Sequence, residues 1–112
     1  MNLEEKLIKS NEKIDNLLSE EVEVKIICII NNKILLYNDT MLLPKFIIKK
    51  AMLSDDEIIS SVNELLNITI NKVNSIPFDK YNNYNERYYL IKINHEELLN
   101  INKLYEFYDI YI

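Results

Sequence analysis

Eighteen acidic residues, one histidine and one cysteine are the groups through which this 112-residue chain could do chemistry. The acids whose spacing matters are Asp55, Asp56, Glu57, Glu64 and Glu86. Carboxylate oxygens hold hard divalent ions such as magnesium, and such ions activate water and neutralise phosphates. Asp56, Ser60 and Glu64 are four residues apart and share one face of a helix. Asp56 and Glu64 are then two turns apart, about 12 Å along the axis, too far to share one ion. Asp55, Asp56 and Glu57 read more simply as charges at a helix start. Glu86 precedes a long strand, from where it could add a ligand to a cleft. The simpler reading is a solvated loop acid beside Arg87.

The remaining reactive groups are weaker. His95 stands beside Glu96 and Glu97 with no second His or Cys as a companion. That makes it a poor metal ligand. Cys28 lies in an apolar run, where a lone thiol reads as a small buried hydrophobe. Tyr81 and Tyr84, in a loop, are candidates for stacking on a ligand or partner, while Tyr88 and Tyr89 suit packing in a strand. Lys45, Lys49 and Lys50 could meet phosphate or be a solvated loop.

Composition removes whole classes. There is no glycine, so no phosphate-cradling loop of the Walker or Rossmann type is present. A net charge of −5 with mixed signs argues against nucleic acid as a partner. A single cysteine makes no internal disulfide, which points to a reducing, cytoplasmic setting. No stretch approaches the roughly 20 apolar residues of a membrane span, and the N-terminus does not read as a secretion signal.

These residues must be positioned by a short list of elements. Residues 2–19 carry Leu3, Leu7, Ile14 and Leu18 at helical spacing, as in an amphipathic helix that packs on its own domain or a second copy. Val22–Ile30 and Lys33–Tyr37 read as strands joined at Asn31-Asn32, a hairpin signal. Met41–Leu43 reads as a strand ended by Pro44, and 46–52 as irregular chain. Ser54 and Glu57 form a capping box for a helix whose stripe is Ile58, Val62 and Leu65 or Leu66, with Asn67 as its stop. Ile68–Val73 and Arg87–Ile93 read as strands. Asn94 with Glu97 makes a second capping box. Residues 104–112 fit either a strand or a helix end.

This order, with the spacing from Leu43-Pro44 to Ile68, resembles the Nudix hydrolases over residues 22–93. The family box runs Gly, five residues, Glu, seven residues, then Arg-Glu-apolar-any-Glu-Glu-any-Gly-apolar. Laid on this chain without gaps, Phe46 and Met52 take the first Gly and Glu. Ser60 and Ser61 take the Arg-Glu pair, Val62 the apolar place, and Glu64 and Leu65 the paired acids. Asn67 replaces the closing Gly and Ile68 the last apolar residue. The resemblance implies one α/β (α+β) domain over 1–112, an α/β/α sandwich with a mixed sheet, an added N-terminal helix and a C-terminal segment 94–112. It also implies that catalysis is lost, because only Glu64 remains of the metal-holding acids. The chain is then expected to bind a protein partner, itself or a nucleotide without turnover, with no cofactor. The alternatives are a divergent magnesium- or manganese-dependent pyrophosphohydrolase using Glu64 with Asp56 or Glu86, and an interaction module unrelated to nucleotides.

Overall fold

Strand β1 (Glu21–Ile30) alternates with a period of two, and that alternation sorts the domain. Val22, Val24, Ile26 and Cys28 are wholly buried. Their neighbours Glu23, Lys25 and Ile27 are half-buried on the other face. The computed structural model describes residues 20–76 and 85–110. Within them lie a six-strand mixed sheet, one α-helix and two short 3-10 segments, a mixed α+β fold.

Neighbours gather on both edges of β1. On one edge runs β5 (Glu86–Ile91), parallel to it from Glu23 opposite Glu86 to Cys28 opposite Ile91. The first half of β1 also pairs antiparallel with β3 (Lys45–Lys49), and its end pairs with β2 (Lys33–Tyr37). The short β4 (Asn74–Ile76) extends the sheet beyond β5, and β6 (Tyr105–Asp109) extends it beyond β2. The order is β4-β5-β1-β2-β6, with β3 off this path.

The hairpin forms where the asparagines stand. Asn31 and Asn32 have φ of 52° and 61°. A two-residue turn matching strand twist needs positive φ at both central positions, and Asn tolerates it better than other residues with a side chain. Helix α1 (Asp55–Leu66) also begins and ends at its expected signals. The Ser54 side chain accepts the Glu57 amide at 3.3 Å, and Asn67 stops the helix at φ 59° and ψ 52°. Ile58, Val62 and Leu66 are wholly buried in one core with the even-numbered residues of β1, while Leu65 packs at its margin.

Four expectations are corrected. Met41–Leu43 is not a strand. The chain instead makes a tight loop in which the Met41 amide bonds the Tyr37 carbonyl at 2.9 Å, and the strand forms at Lys45–Lys49, within the stretch read as irregular. Ile68–Val73 belongs to no ladder, and the strand lies later, at Asn74–Ile76. The cause is Asn63. Its side-chain oxygen accepts the Ile70 amide at 2.8 Å, and its amide donates to the Ile70 carbonyl at 3.1 Å. One helix side chain thus replaces a neighbouring strand while Ile68, Ile70 and Val73 enter the core. The second capping box does not form. Residues His95–Asn100 make a 3-10 segment whose Asn94 cap offers no side-chain bond, because Glu97 turns instead to the Thr69 amide at 2.7 Å. The long strand ends at Ile91 rather than Ile93. The undecided tail contains a strand, β6. The amphipathic stretch 2–19 lies outside the described residues.

Two predictions follow from this packing. Asn63→Ala leaves both backbone polar groups of the buried Ile70 without that partner. It is expected to lower unfolding stability by about 2–3 kcal/mol, read from urea titrations. The second concerns pH. Burial pushes the Cys28 thiol up from 9.0 to about 11 and raises Tyr89, whose phenol is also opposed by Asp55. Burial and the Tyr37 hydroxyl raise Tyr105 as well, their rings 4.5 Å apart. Groups raised by folding hold their protons more tightly in the folded chain. Their contribution is complete below the unfolded values, 9.0 for the thiol and 10.0 for phenols, and is lost as pH rises through the folded ones. Urea midpoints should therefore fall steadily from pH 9 to pH 11. In Cys28→Val the fall should begin about one unit later, where only the phenols contribute.

Candidate functional site

The face of α1 turned away from the core carries the acids that the sequence spacing singled out. Asp56, Ser60 and Glu64 are exposed there, and Ser61 and Leu65 are half-buried. Met52, at the place of the box's first acid, sits half exposed in the 3-10 segment Lys50–Met52. Among the described residues, no three His, Cys, Asp or Glu side chains gather where they could hold a metal ion.

Glu86 is not brought to that face. Its place in β5 opposite Glu23 puts it on the side of the sheet turned away from α1, where its carboxylate lies 3.6 Å from the Lys25 ammonium. Lys45 is on the same side, 3.2 Å from Glu23. Lys49 stands exposed at the far end of β3, opposite Glu21. Sheet and register thus separate Glu64 and Asp56 from Glu86, and collect Lys45 and Glu86 into one cluster. His95 is exposed at the start of its 3-10 segment. Tyr81 and Tyr84 lie outside the described residues.

The cluster forms the wall of a groove of about 450 Å³. Tyr88 closes one end, its hydroxyl 3.4 Å from Lys25 Nζ and its ring centroid 5.4 Å from the same ammonium. Burial pulls the Lys25 ammonium down, but the Tyr88 hydroxyl, Glu86 and Glu23 more than offset it, and Lys25 titrates above the usual lysine range. The opposite wall is apolar, built from Ile34 and Leu36 of β2 and from Leu43. Met41 and Leu42 flank it, 50% and 53% exposed. A second hollow of about 290 Å³, bounded by Tyr37, Asp39 and Thr40, shares Leu42 and Lys45 with the groove.

Backbone strain holds the flank in place. Met41 has φ of 60°, a left-handed conformation that costs a residue with a Cβ about 1–2 kcal/mol. The Asn38 side chain fixes the loop by donating to the Lys103 carbonyl at 2.9 Å, and the Tyr37 amide bonds the Leu42 carbonyl at 2.8 Å. Met41 and Leu42 therefore face solvent on a braced loop.

Among the described residues each lysine of the groove faces a glutamate, Lys25 beside Glu86 and Lys45 beside Glu23. Sequence reasoning missed Lys25, Tyr88 as a wall and the Met41-Leu42 flank. The signal available was the outward half of β1: Glu23 and Lys25 alternate with buried valines and so share one face. A separate polar hollow of about 340 Å³ lies between Thr69, Asn71, Lys72 and Lys92, all exposed. Among the described residues no helix is long and apolar enough to cross a membrane. No protein-family model, curated protein or solved structure matches the chain.

Proposed function

We propose that this chain is a Nudix-like domain that has lost hydrolase chemistry and acts by binding a polypeptide in the groove between β1, β2 and Tyr88. The single observation that carries the reading is the groove itself: apolar along one wall, charge-neutral along the other, flanked by exposed Met41 and Leu42 on a strained loop. Apolar concavities with a few convergent polar groups are where ligands bind. Neutrality turns the choice from a nucleotide towards a peptide, since phosphates need uncompensated positive charge or a metal. The box positions support the non-catalytic part. Ser61, Leu65 and Met52 supply no carboxylate, and the acids nearest Glu64 on its own helix face, Glu57 and Asp56, are about two turns away. In this reading α1 keeps the family's structural part, with Ser54 as its cap and Asn67 as its stop.

The second reading, a divergent pyrophosphohydrolase, needs Glu64 to share a metal with Asp56, two turns away on α1, or with Glu86, on the other side of the sheet. Incubation with magnesium and a panel of nucleoside diphosphate derivatives decides between the two. No turnover is expected, and Glu64→Gln should leave magnesium titration heats unchanged. Turnover that Glu64→Gln abolishes overturns the proposal. In the positive arm, peptides selected from a random library should centre on two or three apolar residues. They should lose at least tenfold in affinity against Leu36→Glu, which places a charge in the apolar wall.

A further inference from the structure

We propose that the polar hollow at the Asn74 end of β4 binds a small phosphorylated molecule, its phosphate held between the Lys72 and Lys92 ammonium groups. The hollow is separate from the groove, and the proposal does not rest on the peptide reading.

The hollow has a volume of about 340 Å³, and its polar lining is Thr69, Asn71, Lys72, Asn74, Lys92 and Asn94. None of these is acidic, although the chain carries 18 acids against 13 bases. Among the described residues, Lys25, Lys33, Lys45 and Lys50 each lie within 4.0 Å of a carboxylate. Lys72 and Lys92 have no such partner there. The positive charge that the groove neutralises is therefore left uncompensated in this hollow.

Sheet register makes the two lysines neighbours. Asn74 of β4 pairs antiparallel with Leu90 of β5. Continued two residues along each chain, that register sets Lys72 opposite Lys92, and both line the one hollow. Like charges directly opposite one another destabilise a pair of strands. A phosphate between them replaces that repulsion with charge-assisted hydrogen bonds. The side-chain amides of Asn71, Asn74 and Asn94 make no hydrogen bond among the described residues, and their N–H groups are available to the remaining phosphate oxygens. In a chain without glycine, side chains do the work that backbone amides do in a phosphate-cradling loop.

Both walls are fixed before any ligand arrives. On one, Asn63 holds the Ile70 amide at 2.8 Å and the Ile70 carbonyl at 3.1 Å, and Glu97 accepts the Thr69 amide at 2.7 Å. On the other, Lys92 stands between Ile91 and Ile93, both buried in the core. A preorganised wall lowers the ordering cost of binding. The volume is at the small end of ligand pockets, roughly 300–1,000 Å³, which suits a sugar phosphate better than a longer polymer.

The test is amide NMR on the full chain, with inorganic phosphate and ribose 5-phosphate as probes at constant ionic strength. Both should shift the amides of residues 69–74 and 92–94 along saturating curves. Ribose 5-phosphate should bind about fivefold more tightly than inorganic phosphate, and unphosphorylated ribose should move nothing. Lys72→Gln and Lys92→Gln should each weaken ribose 5-phosphate about fivefold, the loss of one charge-assisted contact. Lys103→Gln, an exposed lysine outside the hollow, should leave binding unchanged. Shifts that chloride reproduces, or that persist in Lys72→Gln/Lys92→Gln, overturn the proposal. So does sedimentation with phosphatidylglycerol vesicles that ribose 5-phosphate fails to compete, which would make a lipid surface the ligand.

Discussion

The alternation along β1 is the constraint on which everything else depends. Four consecutive even-numbered residues are wholly buried, and each odd-numbered neighbour faces the other way. A slip of one residue would put Glu23 and Lys25 under α1 and Val22 and Val24 into the open, so the register is fixed by burial. β1 touches β2, β3 and β5, and that one register propagates to three neighbours. It decides which side of the sheet Glu86, Tyr88 and Lys45 occupy. The composition of the groove is therefore a consequence of how β1 sits.

A chain without glycine must still turn corners. It does so with asparagine at the two hairpin positions and at the end of α1. Asparagine in the left-handed region is tolerated because its short amide can bond locally, and at Asn67 the amide donates to the Asn100 carbonyl at 2.8 Å. Met41 is different. Its side chain offers no such compensation, and the loop around it is held by bonds from Asn38 and Tyr37 instead. The strain at Met41 is maintained by its surroundings, and the loop displays two apolar side chains to solvent.

Local signals made much of the fold legible in the sequence. Ser54, Asn67 and the Asn31-Asn32 pair act over three or four residues, and each element they bound lies where they place it. Two of the misreadings share one origin, a side chain that serves the backbone of another segment. Asn63 and Glu97 looked like helix residues, one on a polar face and one in a cap. In the fold both serve the backbone of 69–70, so that segment needs no strand partner. The strand at Lys45–Lys49 was hidden for a similar reason, because its ladder partner lies more than twenty residues earlier in β1. The site was legible only in part. Lys45 and Glu86 were singled out as single charges, but which sheet face they shared depended on pairings that periodicity cannot give. The partners of those charges, Glu23 and Lys25, drew no notice because alternating charges on a strand read as an ordinary solvated face.

That pairing of charges bears directly on function. A pocket built for a phosphorylated ligand keeps some positive charge uncompensated or recruits a metal through grouped acids. Here the lysines are 3.2 and 3.6 Å from glutamates. On α1, the remaining acids are spaced by two turns and face water. Loss of ligands alone would leave a scaffold under no constraint at its surface, and exposed apolar residues would be expected to scatter. Among the described residues Met52, Leu99 and Leu104 are exposed away from the groove, while Ile29, Ile47, Met41 and Leu42 are exposed around one side of one sheet, beside it. Each large apolar side chain left in water there costs on the order of 1.5–3 kcal/mol relative to burial. On the reading proposed above, apolar surface gathered in this way contacts another polypeptide segment, and the acids of α1 lie on the opposite side of the sheet.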